Sequence, residues 1–293
     1  MQVVVVMVVF GVLAALVAGA LVWRWPVLAA PRISPRTVFE EAERHPSFGR
    51  LLWSRVGAAR LSEYALGAAL MIAIAGGALL GVVLWMVRSN EGLARYDLSA
   101  ARFGASHATT GSTDVLRAVS QIGGTVGSIV VAVAVAVIVV AHHRLRLRSV
   151  IAFLVVVMVG ESLLVALIKA AVDRARPDID RLTGFSGASF PSGHAATAAA
   201  TLAAAALLLG SGQDHRCRAG FTALAAGLAV CVAASRVFLG VHWLTDVVAG
   251  LALGWVWFAV TSVGFGGRLV RFAEPVEAAE QALATSATPG PHG

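Results

Sequence analysis

The chain has 293 residues, 58% of them hydrophobic and only 13% charged, with a formal net charge of +7. Soluble domains carry about a quarter charged residues, so the composition excludes one and marks a polytopic membrane protein, whose apolar spans are expected to form an all-α helical bundle. The positive charge does not point to nucleic acid, because the 22 arginines are scattered between apolar spans and not gathered on one face.

Seven apolar stretches, at 1–23, 64–87, 122–141, 149–172, 192–210, 220–239 and 243–263, are long enough or nearly so to cross about 30 Å of hydrocarbon at about 1.5 Å per residue. The first lacks a basic n-region and is followed by Arg24, so 1–23 reads as an uncleaved transmembrane anchor and not a signal peptide. In 24–63, a cytoplasmic amphipathic segment, Phe48, Leu51, Leu52, Val56 and Ala59 recur at helical spacing beside Arg50, Arg55 and Arg60. Such a helix lies in the membrane interface or leads, solvated, into the next span. The stretch 88–121 reads as an outer loop without a motif. With the N-terminus outside, the inside segments 24–63, 142–148, 211–219 and 264–293 hold 7, 3, 2 and 2 arginines, the run His142-His143-Arg144-Leu145-Arg146-Leu147-Arg148 being the clearest local signal. The segment 264–293 reads as a cytoplasmic disordered tail, rich in Ala, Glu, Pro and Gly after Arg271. No internal repeat of the kind found in many transporters is visible.

Two charges lie inside the 149–172 span: Glu161, and eight residues later Lys169, the single lysine of the chain. Glu161 reads as a protonated carboxyl bonded to a neighbouring helix, or as a group shaping a site about 12 Å nearer the surface. Lys169 alone would be a snorkelling side chain. Seven residues on stand Arg176 and Pro177, where the proline turns the chain out of the helix. Two cations at the outer surface call for an anion. The next span opens with Pro191-Ser192-Gly193-His194, whose helix N-terminus, hydroxyl, glycine and imidazole make an anion cradle with a titratable group. Between the last two spans, Ser235-Arg236 is followed by His242 and Asp246, four apart and hence on one helical face. A carboxylate on one ring nitrogen leaves the other with a lone pair, ready to act as a nucleophile.

All three clusters fall on the outer side of the topology read from the arginines. Lys169, Arg176 and Arg236 supply positive charge, Ser192 and Gly193 neutral donors, and His194 and His242 an acid and a nucleophile, an arrangement suited to phosphoryl transfer. At this point the chain resembles the type 2 phosphatidic acid phosphatase superfamily, whose signature is Lys-x6-Arg-Pro, Pro-Ser-Gly-His and Ser-Arg-x5-His-x3-Asp. Every fixed position is present, and the resemblance covers the six-span core at 64–263, leaving 1–23 as one extra N-terminal span. It implies that His242 attacks phosphorus to form a phosphohistidine, His194 protonates the leaving oxygen and later activates water, and Asp246 orients His242. It implies further that Lys169, Arg176, Ser192, Gly193 and Arg236 bind the phosphoryl oxygens, with no cofactor and no metal. Asp173, Asp178 and Asp180 near the first motif are the minor alternative for a cation site.

The expected function is an integral-membrane phosphatase acting on the terminal phosphate of a lipid phosphate or diphosphate at the extracytoplasmic face of the cell membrane. Undecaprenyl diphosphate is favoured, with phosphatidic acid or phosphatidylglycerol phosphate next. The expected partners are the lipid substrate and the bilayer. A phosphotransferase on the same site, or an anionic-lipid transporter without turnover, are the alternatives, and the His242–Asp246 pair argues against mere binding.

Overall fold

A computed structural model describes residues 1–24, 58–143, 147–179, 182–184 and 187–273. These form helices α1 (Gln2–Arg24), α2 (Ala58–Ser89), a 3₁₀ turn (Gly92–Tyr96), α3 (Asp97–His107), α4 (Thr110–Ile122), α5 (Thr125–His143), α6 (Leu147–Val172), α7 (Gly193–Leu209), α8 (His215–Phe238) and α9 (Leu244–Ala273), with no strand among the described residues. Among them, six helices are long and apolar enough to cross a membrane, and α7 is a shorter apolar helix of 17 residues. The all-α membrane bundle expected from composition is the fold observed.

The bundle is built around α7, the most alanine-rich of its helices. Ala195, Ala196, Ala198, Ala199, Ala200 and Ala204 are wholly buried, because α5, α6, α8 and α9 surround them. Small side chains let neighbouring backbones come close, which is how helices associate where lipid gives no hydrophobic drive. On α9, Gly250 and Gly254 face α7 so tightly that a Cβ on Gly250 would lie 2.5 Å from the Ser192 carbonyl oxygen and one on Gly254 2.9 Å from Ala199 Cβ. The outer helices show the reverse pattern: Val130 and Val137 of α5 and Leu163 and Leu167 of α6 are exposed to the lipid side.

The extra span α1 packs along α8, where Gly11 meets Gly227 and Cys231. At its N-terminal end Val3 and Met7 join Val237, Phe238, Leu239 and Val241 in one buried cluster.

Three boundaries differ from those read in the sequence. The stretch 88–121 is not a loop: it folds into the 3₁₀ turn, α3 and α4, too short and too polar to show as spans. α4 starts on a capping box, with the Thr109 hydroxyl accepting from Ser112 N at 3.2 Å and Thr109 N donating to Ser112 Oγ at 2.8 Å. α2 begins at Ala58, inside the segment read as cytoplasmic, and α9 runs on to Ala273, past 263. The amphipathic stretch from Phe48 to Val56 and the tail after Ala273 lie outside the described residues.

Candidate active site

The C-terminal ends of α6 and α8 and the N-terminal ends of α7 and α9 meet at one end of the bundle. The connection from α6 to α7 lies across them, held by backbone bonds from Ser189 N to Arg174 O (2.8 Å), Leu182 N to Leu239 O (3.0 Å) and Ser192 N to Asp246 O (2.9 Å). Between α8 and α9 the chain turns at Gly240, whose φ of 71° suits a residue without Cβ.

His242 sits in that turn, just before α9 and not within it, because the helix starts at Leu244. It still meets Asp246: Nδ1 lies 3.4 Å from Asp246 Oδ2, with the His242 side chain 3% and that of Asp246 0% exposed. The other ring nitrogen, Nε2, is 3.2 Å from Arg176 Nη1, so the candidate nucleophile and a candidate oxyanion donor share one spot. Burial pushes the His242 imidazole down to about 4, against the upward pull of Asp246. The ring is therefore neutral, with a lone pair, across the physiological range.

The cations converge on this point from three elements. Lys169 donates to Ala188 O at the end of α6. Arg176 is pinned by Val241 O (2.7 Å), Gly187 O (2.9 Å) and Ala188 O (3.2 Å). Arg236 reaches Ser120 Oγ on α4 at 2.8 Å, while its Nε is buried without a partner among the described residues. Lys169, Arg176, Arg236 and His242 are all close enough to His194 to act on its charge. The structure thus brings together His194, His242, Asp246, Lys169, Arg176, Arg236 and Ser192, with Gly193 opening α7 beside them.

Two details bear on the start of α7. Ser192 is the N-cap of α7 by position, but its hydroxyl makes no capping bond and is buried without a partner among the described residues. That leaves it available as a donor to an anion. A Cβ on Gly193 would meet only Val165 Cγ1, at 3.7 Å, which is ordinary contact, so protein packing does not demand glycine there.

Sequence reasoning passed over four polar residues of the site. Arg174, in the variable part of the first motif, gives Nη1 to Asp246 Oδ1 (2.6 Å) and Thr245 Oγ1 (2.8 Å), and Nη2 to Asp97 Oδ2 (2.8 Å). Its guanidinium also lies over the Trp243 ring, 5.4 Å from the centroid. Asp97, from the stretch read as a loop, accepts from Thr245 N (2.8 Å) and Thr245 Oγ1 (2.7 Å). Ser189 donates to Asp246 Oδ2, which also accepts from Trp243 N at 2.9 Å. One signal was available: Arg174 stands two residues before Arg176 in the segment that leaves α6, and both guanidiniums reach the α8–α9 junction.

Glu161 is fully buried and accepts from Thr197 Oγ1 of α7 at 3.0 Å and Ser162 Oγ at 3.4 Å. It joins α6 to α7 away from the site. Asp180 is outside the described residues, and no cluster of three or more metal-binding side chains occurs among those described.

Residues 150–268 match the PAP2 superfamily, the type 2 phosphatidic acid phosphatases that the three motifs resemble. Within the chain lies a region 41% identical to a lipid A 1-phosphatase of Rhizobium etli, over 37% of this chain and 47% of that protein. A similar region is 36% identical to phosphatidylglycerophosphatase B of Bacillus subtilis, over 38% of this chain and 56% of that protein. The chain therefore spans about half the length of the curated relatives it matches. In structure it resembles a transmembrane PAP2-type phosphatidylglycerolphosphate phosphatase from Bacillus subtilis, with a TM-score of 0.60 at 24% identity over 68% of this chain and 98% of that one. At that identity the likeness is one of fold.

Proposed function

We propose that the protein is an integral-membrane phosphatase that removes the terminal phosphate of a lipid phosphate or diphosphate through a phosphohistidine on His242. The observation that carries this reading is the paired, buried His242 whose Nε2 adjoins Arg176 at the meeting point of Lys169, Arg236 and the start of α7. Binding alone needs the cations; it does not need an imidazole held by a carboxylate.

The phosphoryl group sits among Lys169, Arg176, Arg236, the Ser192 hydroxyl and the α7 N-terminus, which neutralise its equatorial oxygens. The Nε2 lone pair of His242 attacks phosphorus as the bond to the lipid oxygen breaks, and His194 gives that oxygen a proton. The phosphoimidazolium is stabilised through Nδ1–H by Asp246. Neutral His194 then takes a proton from water, which attacks phosphorus; the P–N bond breaks and phosphate leaves. All of these groups belong to the chain, and none of these steps requires a metal.

The site lies at helix ends, where the headgroup of a bilayer lipid would reach it, and Arg148 stands in the first turn of α6, at the opposite end of that helix from Lys169. These features support a substrate that arrives laterally from the extracytoplasmic leaflet of the cell membrane. A polyprenyl diphosphate such as undecaprenyl diphosphate is the first substrate proposed. Phosphatidylglycerol phosphate, phosphatidic acid and lipid A, each with a phosphate at the same depth, belong on the same panel. The test is phosphate release by the purified protein in detergent with a chelator present. Release from at least one lipid, lost in His242→Ala, is expected, and no release from any of them would refute the reading.

A further inference from the structure

The carboxylate that holds the nucleophile is itself held from two sides. Asp246 Oδ2 faces three donors, His242 Nδ1, Ser189 Oγ and Trp243 N, so turning the carboxylate out of its present plane would lose all three contacts at once. Oδ1 is fixed by Arg174, at 2.6 Å. Arg174 is mostly buried, its side chain 16% exposed, and its second arm is taken by Asp97, 6% exposed. Asp97 in turn binds both the amide and the hydroxyl of Thr245, the residue next to Asp246 in the first turn of α9. A planar guanidinium can bridge two carboxylates in a fixed direction, and an ammonium cannot.

From this geometry we propose that Asp97 and Arg174 are positioning residues, forming a carboxylate–guanidinium relay that sets the orientation and charge of Asp246 and through it those of His242. The relay rests on the reading of His242 as the nucleophile. It gives the stretch between α2 and α5 a catalytic purpose, since α3 supplies its outermost member.

The relay has two consequences. When His242 gains phosphorus, its Nδ1–H becomes strongly acidic, and Asp246 must accept that hydrogen bond without taking the proton. The Arg174 charge beside Oδ1 opposes protonation of Asp246. Asp97 limits how far, by compensating Arg174 from behind. The two residues therefore act on His242 with opposite sign: loss of the Arg174 charge raises the His242 pKa, and loss of the Asp97 charge lowers it. The other charged and titratable groups facing His242 and Asp246 are Lys169 of α6, Arg176 of the following connection, His194 of α7 and Arg236 of α8, and they stay the same in every variant compared.

The experiment is nitrogen NMR of histidine-labelled full-length protein in detergent, with His242 assigned through His242→Ala. It is run on wild type, Asp97→Asn, Arg174→Gln and Arg174→Lys and needs no turnover. The His242 titration is expected to move up in Arg174→Gln and down in Asp97→Asn, and to stay near wild type in Arg174→Lys, which keeps the charge and loses the fork. In parallel, kcat for phosphate release should fall about ten- to a hundredfold in all three, the range for a lost charged hydrogen bond, with KM little changed because neither residue touches substrate. The double variant Asp97→Asn/Arg174→Gln should be no worse than Arg174→Gln alone. Shifts of the same sign in both charge-removing variants, an unmoved His242, or losses that add would overturn the relay. If Arg174→Gln fails to fold, Asp97→Asn and Arg174→Lys still decide. A wild type that titrates as expected yet releases no phosphate refutes the proposed function and leaves the relay standing as a structural fact.

Discussion

Gly250→Ala places a single methyl at the junction between the helix carrying Ser192 and His194 and the helix carrying Asp246. The added Cβ would lie 2.5 Å from Ser192 O and 3.0 Å from Ala195 Cβ, where ordinary contacts run about 3.5–4.0 Å. Both neighbours are short and neither can rotate away, so the start of α7 has to withdraw by about 1 Å. Overpacking of this size costs about 1–3 kcal/mol. The same displacement separates His194 from His242, and a misplacement of about 1 Å costs about a hundredfold in rate. Gly254→Ala, one turn deeper on α9, meets the Ala196 carbonyl oxygen more closely still and Ala199 Cβ at 2.9 Å, and should destabilise at least as much with a smaller loss of rate. Gly77→Ala is the control, having nothing within 4 Å of the new methyl, and should leave rate unchanged. Phosphate release and thermal unfolding in one detergent report both quantities. Gly250→Ala with wild-type unfolding and wild-type kcat would show that the α7–α9 contact does not govern the site.

Catalysis needs neutral His242, and burial lowers its pKa from 6.5 to about 4; the acid limb of kcat/KM that belongs to it should therefore fall near pH 4, and a limb at pH 6.5 would contradict the buried pairing. Lys169→Ala should cut kcat/KM about a hundredfold at unchanged unfolding temperature, and an undiminished rate would return this lysine to snorkelling. Glu161→Ala should destabilise by about 1–3 kcal/mol by stranding the Thr197 hydroxyl between α6 and α7, whereas Glu161→Gln, which can still accept that bond, should remain close to wild type. Equal unfolding temperatures for the two variants would remove Glu161 from the helix contact.

The three motifs were legible because each lies at a helix end, where a few neighbouring residues in the chain are also neighbours in space. Lys169 and Arg176, or His242 and Asp246, are near enough in the chain to be placed together, although Arg176 lies past the end of α6 and His242 just before the start of α9. Asp97 could not, since it reaches Arg174 and Thr245 across 77 and 148 positions of sequence from a stretch with no span-length periodicity. Arg174 was hidden for another reason: in a chain with 22 arginines, one more beside Arg176 carries little information. The bundle itself was readable from composition, but the central place of α7 was not. A helix made mostly of alanine is equally apolar whether lipid or protein surrounds it, and only packing distinguishes the two. Ser192 shows the limit of local rules, for a serine at an N-cap ordinarily bonds the first turn and this side chain makes no such bond.

α1 looks at first like a tether, a span outside the six that the motifs account for. Its contacts say otherwise. Gly11 and Gly19 set it directly on α8, and Val3 and Met7 are buried beneath Phe238, Leu239 and Val241, the segment that leads into His242. Trimming the chain to six spans would turn a close-fitted seam into a lipid-facing groove, with Gly227 and Cys231 too small to fill it. The damage would surface in the turn that carries the nucleophile, some five helical turns from where Arg24 ends the span. The first helix is in that sense a footing of the active site.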